Sequence, residues 1–347
     1  MKTLRLTVDP ANLTSAEAEE ALEQAAAILL GGGLVALPTE TVYGLGANAL
    51  DAAAVSRIFQ AKQRPAWDPV IVHVADEEML YGLVEELPDA ARKLMKAFWP
   101  GPLTLLLPRT ARVPDVVTAG RPLVGVRMPS HPVALELIRR AGVPVAAPSA
   151  NLFSHTSPTT AAHVLADLDG RIDAVLDAGP TEHGVESTVL DPGKMMIYRP
   201  GAVTAAQIQF IAGAVEMYRD DGLLQATPRA AMPSPGVGLR HYAPRARLVL
   251  IEDELAALAA RLTGAMEDLP EDQVGVMLPL ELAAPAGAAA VFPWGSWAAP
   301  EQMAHTLYAG LRALDGKGCT VILCPLPPAA GIGAAIRDRL LRAGNRE

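Results

Sequence analysis

Four groups of polar residues in this sequence carry side chains that can bind an anion, and each lies beside a predicted strand. Open α/β sheets bind ligands outside the carboxyl ends of their strands, so these positions suit a binding site. From residue types alone, ordinary loops or an edge strand without any binding role explain these groups equally well. The groups are residues 38–46 (PTETVYGLG), 62–65 (KQRP), 148–151 (PSAN) with 157–160 (SPTT), and 184–189 (GVESTV) with 199–201 (RPG).

Lys62 and Arg64 are the candidates for binding negative charge. They stand at the end of a predicted helix, Pro65 restricts the backbone after them, and His73 lies near the end of the next strand. A lysine and an arginine that converge on one pocket neutralise a carboxylate or phosphate, the arginine as a bidentate donor. A helix C-terminus also favours cations without any function. On residue chemistry alone, a solvated helix end is the simpler interpretation.

The third group combines a predicted helix start with two further polar residues. Ser157 followed by Pro158 predicts an N-cap and a first helical position. A helix N-terminus with a hydroxyl can also bind an anion. Capping accounts for Ser157 but leaves Ser149 and Asn151 without a structural explanation.

Three glycine-rich segments imitate phosphate-binding loops. Gly316-Lys317 is followed by glycine, so the hydroxyl of a Walker loop is absent. The segment 44–49 (GLGANA) matches the loose dinucleotide pattern, but residues 38–43 separate it from the preceding predicted strand. Gly331-Ile332-Gly333 has no later strand to supply a ribose-binding acid. These patterns indicate turn or packing glycines.

The elements that position these groups alternate between helix and strand, which predicts an α/β layer fold. A hairpin at Pro192-Gly193 indicates a mixed sheet. Predicted helices cover 16–29 (with a capping box at 14–17), 51–64, 89–98, 132–140 and a segment opening at Ser157. Predicted strands cover 34–37, 70–74, 103–107, 123–127, 143–147, 186–191 and 195–199.

The sequence predicts two domains joined by a linker. Residues 1–217 form the larger α/β domain, and the Pro-, Gly- and Ala-rich stretch 218–246 is the linker. Residues 247–347 form a small, doubly wound, Rossmann-like domain. Its predicted strands are 248–251, 274–278, 289–292 and 321–324, and its predicted helices lie near 253–264, 300–314 and 333–343.

Composition excludes several classes of protein. The 347 residues carry a net charge of −9 and only 4% aromatic side chains, so stable binding to bulk nucleic acid is not expected. Cys319 and Cys324 lie in an apolar run without a second ligand pair at zinc spacing, which indicates reduced core thiols. We expect neither a signal peptide nor a membrane helix, and hence a cytoplasmic protein.

Taken together, the four groups resemble the threonylcarbamoyl-AMP synthase family in its long form, with a YrdC-like domain and a C-terminal domain. The similarity covers nearly the whole chain, and six segments follow in the family's order. They are PTETVYGLG, KxRP, PSAN…SPTTAxHV, ESTVLD, RPG and a linker segment, Ser234-Pro235-Gly236…His241-Tyr242-Ala243-Pro244.

The resemblance implies a role for individual residues. Lys62, Arg64, Ser149 and Asn151 match the family's central polar quartet, with Lys62 and Arg64 as catalytic residues. The positions that hold threonine in the family are Thr41, His73, Arg127 and Ser187. The positions that hold ATP are Arg64, Asp68, Ser149, Asn151, Ser157, Arg199 and Tyr242. No metal held by protein side chains is implied.

Three residues depart from the family pattern. Gln63 stands where glycine is frequent, and Ser154 where glycine usually follows PSAN. Asp68 stands where asparagine or a similar residue is common. An aspartate facing a triphosphate would be repulsive without a metal, so Asp68 is the ATP assignment that most needs explaining.

The implied activity is synthesis of L-threonylcarbamoyl-adenylate from L-threonine, bicarbonate and ATP, with Mg²⁺ carried by the nucleotide. A separate transferase would pass the product to a tRNA adenosine, and the linker would act as a lid over the labile adenylate. Two alternatives stay open. One is a carbamoyl-transfer or carbamoyl-adenylate-forming enzyme on the same fold, and the other is a non-catalytic RNA-binding module.

Overall fold

The computed structural model describes residues 2–219, 232, 234, 242–267, 269 and 273–344. The chain divides into two compact units. The first comprises the described residues of Met1–Phe153, Pro158–Glu182 and Glu186–Gly238, and the second those of Ser154–Ser157, His183–Val185 and Leu239–Glu347. Most of the predicted linker, including Pro235, Gly236 and His241, lies outside the described residues.

The first unit is built on one mixed sheet with the strand order β1-β8-β2-β3-β7-β4-β6-β5-β9-β10-β11. Its strands are β1 (Leu4–Thr7), β2 (Val35–Leu37), β3 (Gly44–Asn48), β4 (Ile71–His73), β5 (Leu103–Pro108), β6 (Leu123–Arg127), β7 (Val145–Ala146), β8 (Ala174–Asp177), β9 (Thr188–Asp191), β10 (Met196–Arg199) and β11 (Glu216–Met217). Its helices are α1 (Ala16–Leu30), α2 (Ala52–Lys62), α3 (Glu77–Tyr81), α4 (Asp89–Phe98), α5 (Asp115–Thr118), α6 (Pro132–Ala141), α7 (Ala161–Leu168) and α8 (Ala205–Ala212).

Helices cover both faces of this sheet, and the alternation of side chains along β2 shows why. Ala36 belongs to the apolar cluster that includes side chains of α2, α4 and α7. Val35 and Leu37 belong to the cluster that includes side chains of α1 and α6. Successive strand residues point to opposite faces, so a strand buried on both sides is apolar throughout.

Pairing of the strands confirms the predicted mixed sheet. β4 and β6 run parallel, β5 runs antiparallel to β6, and β9 runs parallel to β5. β9 and β10 form the predicted antiparallel hairpin. These five neighbours bring residues from distant parts of the sequence into one short stretch of sheet.

Two predictions about helix starts were wrong. Ser157 does not cap a helix, because the N-cap of α7 lies three residues later at Thr160, whose hydroxyl accepts a hydrogen bond from the His163 backbone N–H. At α1 the cap is Ser15, whose side chain accepts from Ala18, so the capping box does not begin at Thr14. In both places two hydroxyl residues within three positions of each other are candidates for the N-cap, and the sequence pattern does not decide between them.

The segment around Gly44 and Gly46 is a strand rather than a loop. A Cβ on Gly46 would lie 2.8 Å from Leu37 Cδ2 and 2.9 Å from Val145 Cγ1. Glycine is therefore needed for close packing between β3 and its neighbours, which confirms the interpretation as a packing glycine. The short elements β1, β8, β11, α3, α5 and α8 were not predicted either.

The second unit has a four-stranded sheet of order β12-β15-β13-β14, in which every pair is parallel. Its strands are β12 (Arg247–Ile251), β13 (Val274–Leu278), β14 (Ala290–Pro293) and β15 (Val321–Pro325), and its helices are α9 (Leu255–Met266), α10 (Pro300–Gly316) and α11 (Gly333–Gly344). This is the predicted doubly wound arrangement. Cys319 and Cys324 are free and buried, as expected of core thiols.

Within the part of the chain that the structure describes, no helix is both long enough and apolar enough to cross a membrane.

Candidate functional site

Lys62 is a buried residue that joins the end of α2 to the 148–151 segment. Its side chain is only 1% exposed. The Nζ atom donates hydrogen bonds to the backbone carbonyls of Ser149, at 2.6 Å, and Asn151, at 2.5 Å. The solvated helix end is therefore excluded as the interpretation of this lysine. Its contacts place the ends of two distant segments together.

Burial also changes the chemistry of Lys62. Burial, followed by the nearby charge of Arg64, holds the pKa of Lys62 well below its ordinary value, and Asp167 and Asp68 oppose this only in part. In either protonation state the Nζ atom has enough N–H groups for both carbonyl contacts. An anion bound near Lys62 and Arg64 would relieve the repulsion between them and favour the charged amine.

Arg64 and Asp68 form a buried ion pair. Arg64 Nη2 lies 2.9 Å from Asp68 Oδ2, and the side chains are 5% and 1% exposed. Arg64 also donates to the backbone carbonyls of Asp68 and Pro69. The aspartate at this unusual position is thus balanced by an arginine within the same turn, and its charge does not require a metal for compensation.

The 148–151 segment lies against the start of strand β3. Gly44 and Ser149 form an isolated antiparallel bridge, and the Leu45 N–H donates to the Pro148 carbonyl at 2.7 Å. A Cβ on Gly44 would meet the Ala147 Cβ at 3.2 Å, so glycine permits this close approach. Two of the four predicted groups are therefore direct neighbours.

Arg127 is the centre of a second set of contacts. His73 and Arg127 are register partners on the parallel strands β4 and β6, so their side chains lie on one face of the sheet. Arg127 Nη1 donates to the Thr41 hydroxyl at 3.0 Å, and Nε donates to the Gly101 carbonyl at 3.2 Å. Its Nη2 atom lies 2.5 Å from Glu40 Oε1. Three of the four residues predicted to bind the substrate threonine therefore lie together here.

His73 is neutral in this environment. It is 3% exposed, and burial, followed by the charge of Arg127, lowers its pKa to about 3, while Glu40 opposes the shift. Its Nδ1 atom has no hydrogen-bond partner among the residues that the structure describes. A buried imidazole nitrogen without a partner is available to a polar ligand.

Ser187 is the fourth residue predicted to bind the substrate threonine, and it is held near Arg127 by contacts with Thr104 and Arg199. Leu105 pairs with Val126, which places Thr104 on the strand next to Arg127. The hydroxyls of Thr104 and Ser187 share a hydrogen bond of 2.8 Å. Arg199 donates to the Ser187 hydroxyl at 3.1 Å and to its carbonyl.

Ser157 and Tyr242 belong to the second unit and do not take part in the contacts described above. Ser157 is fully buried. Tyr242 has a positive φ of 65°, and its ring lies under the Arg339 guanidinium, 5.1 Å from the centroid. It also packs on the ring of Tyr308, with 6.0 Å between centroids. This buried stacking indicates a tyrosine with a fixed position.

Sequence reasoning missed Glu40 and Thr104. Glu40 is 2% exposed and faces Arg127, and Thr104 is fully buried against Ser187. A signal for Glu40 existed in the 38–46 segment, where one acid stands between two threonines in a stretch that precedes an apolar strand. Thr104 gave no signal, because one threonine in an apolar strand is ordinary.

The chemistry of this arrangement is that of binding anions and hydroxyls. Arg64, Arg127 and Arg199 are buried cations, and Thr41 and Ser187 are hydroxyls that these cations or their neighbours orient. The described residues contain no group of three or more His, Cys, Asp or Glu side chains that could hold a metal ion. Buried cations with fixed donors stabilise carboxylates and phosphates.

Two family models together match most of the chain. Residues 27–201 match the model described as "Telomere recombination", which covers Sua5, YciO and YrdC proteins. Residues 203–345 match the model "Threonylcarbamoyl-AMP synthase, C-terminal domain".

Curated proteins and solved structures give the same result. The chain is 42% identical to the threonylcarbamoyl-AMP synthase of Bacillus subtilis (strain 168), over 99% of this chain and 98% of the relative. It is 41% identical to that of Pyrococcus abyssi (strain GE5 / Orsay), over 92% of each. The crystal structure of P. abyssi Sua5 complexed with L-threonine matches with a TM-score of 0.89 and 39% identity, covering 99% of this chain and 98% of that one.

Proposed function

Because the chain belongs to the threonylcarbamoyl-AMP synthase family, we propose that it makes L-threonylcarbamoyl-adenylate from L-threonine, bicarbonate and ATP, releasing pyrophosphate. The observation that carries this proposal is the pair of neighbouring contact sets in the first unit. One is built around Arg127 with Thr41 and His73, and the other around Lys62 with the 148–151 segment. The relative crystallised with L-threonine supports an amino acid as one substrate.

We assign the threonine site to Thr41, His73, Arg127 and Ser187. The Arg127 guanidinium binds the substrate carboxylate, and neutral His73 offers its free Nδ1 to a polar group of threonine. Ser187, held by Thr104 and Arg199, supplies a further hydroxyl. These groups fix the amino acid so that its nitrogen faces the remaining substrates.

We assign the nucleotide to Lys62, Arg64, Ser149, Asn151 and Arg199, with Lys62 and Arg64 as the catalytic pair that neutralises phosphate charge. Asp68, Ser157 and Tyr242 stay in the proposed ATP set on the family resemblance. Mg²⁺ enters with the triphosphate as part of the substrate. Asp68 is engaged by Arg64 and is not assigned as a metal ligand.

The reaction needs two bond-forming steps. The amine of threonine adds to the carbon of bicarbonate or CO₂ and gives an N-carboxylate. An oxygen of that carboxylate then attacks the α-phosphorus of ATP, and pyrophosphate leaves. Neither step requires a side-chain nucleophile, so the residues act by holding the substrates in line and by stabilising negative charge. A separate transferase then consumes the adenylate to modify a tRNA adenosine.

The test is pyrophosphate release by the purified chain with ATP, Mg²⁺ and combinations of the other substrates. We expect release only when threonine and bicarbonate are both present. Equal release with serine, or without any amino acid, would contradict the threonine assignment. Release that depends on carbamoyl phosphate instead would favour a carbamoyl-adenylate-forming enzyme.

A further inference from the structure

Glu40 is a buried carboxylate inside the proposed threonine site. Its side chain is 2% exposed, and its Oε2 atom accepts a hydrogen bond of 3.2 Å from the Ser130 backbone N–H. The charged and titratable groups that face it are Arg127 at the end of β6, His73 at the end of β4 and His131 before α6. A carboxylate is rarely buried without a specific partner or task.

Glu40 and Arg127 form a close ion pair that involves only one oxygen and one nitrogen of the two side chains. Glu40 Oε1 and Arg127 Nη2 oppose each other at 2.5 Å. They form a buried ion pair, and apart from this contact neither atom has a hydrogen-bond partner among the described residues. Arg127 is instead fixed through its Nε and Nη1 atoms. The pair therefore offers a ligand one positive and one negative group side by side, with a second N–H on Arg127 Nη2 and a second lone pair on Glu40 Oε1.

An α-amino acid has the complementary pair of charges. When its carboxylate binds Arg127, its ammonium group comes within reach of the carboxylate of Glu40. The ammonium form cannot add to carbon, because its nitrogen has no free electron pair. The ammonium group must therefore lose a proton before the first step, and a carboxylate at this position can accept it.

We propose that Glu40 is the catalytic base that removes the proton from the ammonium group of threonine, an inference that rests on the proposed function. The N–H bond breaks, the proton goes to Glu40 Oε1, and the electron pair stays on nitrogen. That pair forms the C–N bond with bicarbonate, and water leaves as the N-carboxylate forms. Glu40 returns its proton to solvent before the next turnover.

The substrate itself changes the basicity of Glu40. Burial raises the pKa of Glu40, but the charge of Arg127 and several hydrogen bonds outweigh burial and leave the pKa below its ordinary value. A substrate carboxylate on Arg127 cancels much of that lowering while burial persists. The affinity of Glu40 for a proton thus increases when the amino acid is bound.

The test is Glu40→Gln, which keeps the size of the side chain and an oxygen for the Ser130 N–H but removes the base. We expect kcat for pyrophosphate release to fall about 100-fold or more, in addition to any rise in the KM for threonine from the lost contact with its ammonium group. The rate of the variant should then rise about tenfold per pH unit toward the pKa of the free amine, because deprotonation occurs in solution. The wild-type rate should change far less over that range.

Two further variants keep the result interpretable. Glu182→Gln removes an exposed carboxylate near His131 and should behave as wild type. Glu40→Asp keeps a carboxylate and should retain the wild-type pH profile at a reduced rate. A wild-type kcat in Glu40→Gln would contradict the role of Glu40 as the base. So would a Glu40→Gln variant with a raised KM for threonine and the pH profile of wild type. A wild-type chain that releases no pyrophosphate would instead overturn the proposed function and the base with it.

Discussion

At the scale of single residues, the site is built from side chains that also hold the fold together. Lys62 illustrates this, because its amine supplies hydrogen bonds to two backbone carbonyls besides its proposed contact with phosphate. A solvated helix end was the simpler interpretation of this lysine from residue chemistry alone, and its burial shows that this interpretation was wrong.

We predict that Lys62→Ala lowers both stability and activity. Removing the donor leaves buried carbonyls without partners, which costs about 1–3 kcal/mol in the free energy of unfolding. Loss of the phosphate contact should lower kcat/KM about ten- to a hundredfold. Urea unfolding and pyrophosphate release measure the two effects, and the exposed Lys96→Ala is the matched control. Unchanged stability in Lys62→Ala would contradict the observed contacts.

His73 predicts a dependence of stability on pH. Its pKa is about 3 in the folded chain against an ordinary value of 6.5, so the unfolded chain binds a proton between these values that the folded chain does not. The contribution of neutral His73 to the free energy of unfolding is therefore present above pH 6.5. It is lost as the pH falls from 6.5 toward 3, by about 1.4 kcal/mol per pH unit. A substitution that does not titrate should remove this loss.

Between pH 6.5 and 5, we expect wild type to lose about 2 kcal/mol more unfolding free energy than His73→Gln. Denaturant titration of both proteins at both pH values measures the difference. The exposed His305→Gln should follow wild type. Equal losses in wild type and His73→Gln would show that the imidazole is protonated as readily in the folded chain as in the unfolded one.

At the scale of elements, the end of α2 explains one departure from the family pattern. Gln63 follows the helix with φ at 55°, a left-handed conformation that glycine adopts without strain. Its backbone N–H still closes the helix on the carbonyls of Phe59 and Gln60. Glutamine is tolerated here at a conformational cost, and glycine would remove it.

We therefore predict that Gln63→Gly raises the free energy of unfolding by about 1 kcal/mol and leaves activity unchanged. Gln60→Gly, within the same helix, should lower it by about 1 kcal/mol, because glycine is unfavourable in a helix interior. Denaturant unfolding measures both. A loss of stability in Gln63→Gly would mean that the glutamine side chain makes a contact worth more than the strain.

Element boundaries were predictable where apolar periodicity was clear, as in α4 and β6, which were predicted residue for residue. β3 was missed because two glycines in a polar context imitate a loop, and only the packing of Leu37 and Val145 explains them. Ser157 was assigned to the wrong helix position because Thr160 provides an equivalent hydroxyl. Local patterns do not specify which of two capping residues tertiary contacts favour.

At the scale of the whole molecule, the alternation of helices and strands predicted the fold class but not the strand order. His73 and Arg127 are 54 positions apart in sequence yet are direct register partners. Ordered polar segments predicted the members of the proposed site, whereas their burial and the contact of Glu40 with Arg127 depend on pairing between distant strands. Such pairing is not encoded in any local pattern.

The central claim is that the nitrogen of threonine captures bicarbonate and that the resulting carboxylate attacks ATP. The most direct measurement is mass spectrometry of the adenylate formed from ATP, threonine and ¹³C-bicarbonate by the full chain. We predict a threonylcarbamoyl-adenylate that is one mass unit heavier than the product made with unlabelled bicarbonate. A threonyl-adenylate without the carbamoyl carbon, or an adenylate that carries no label, would contradict the account.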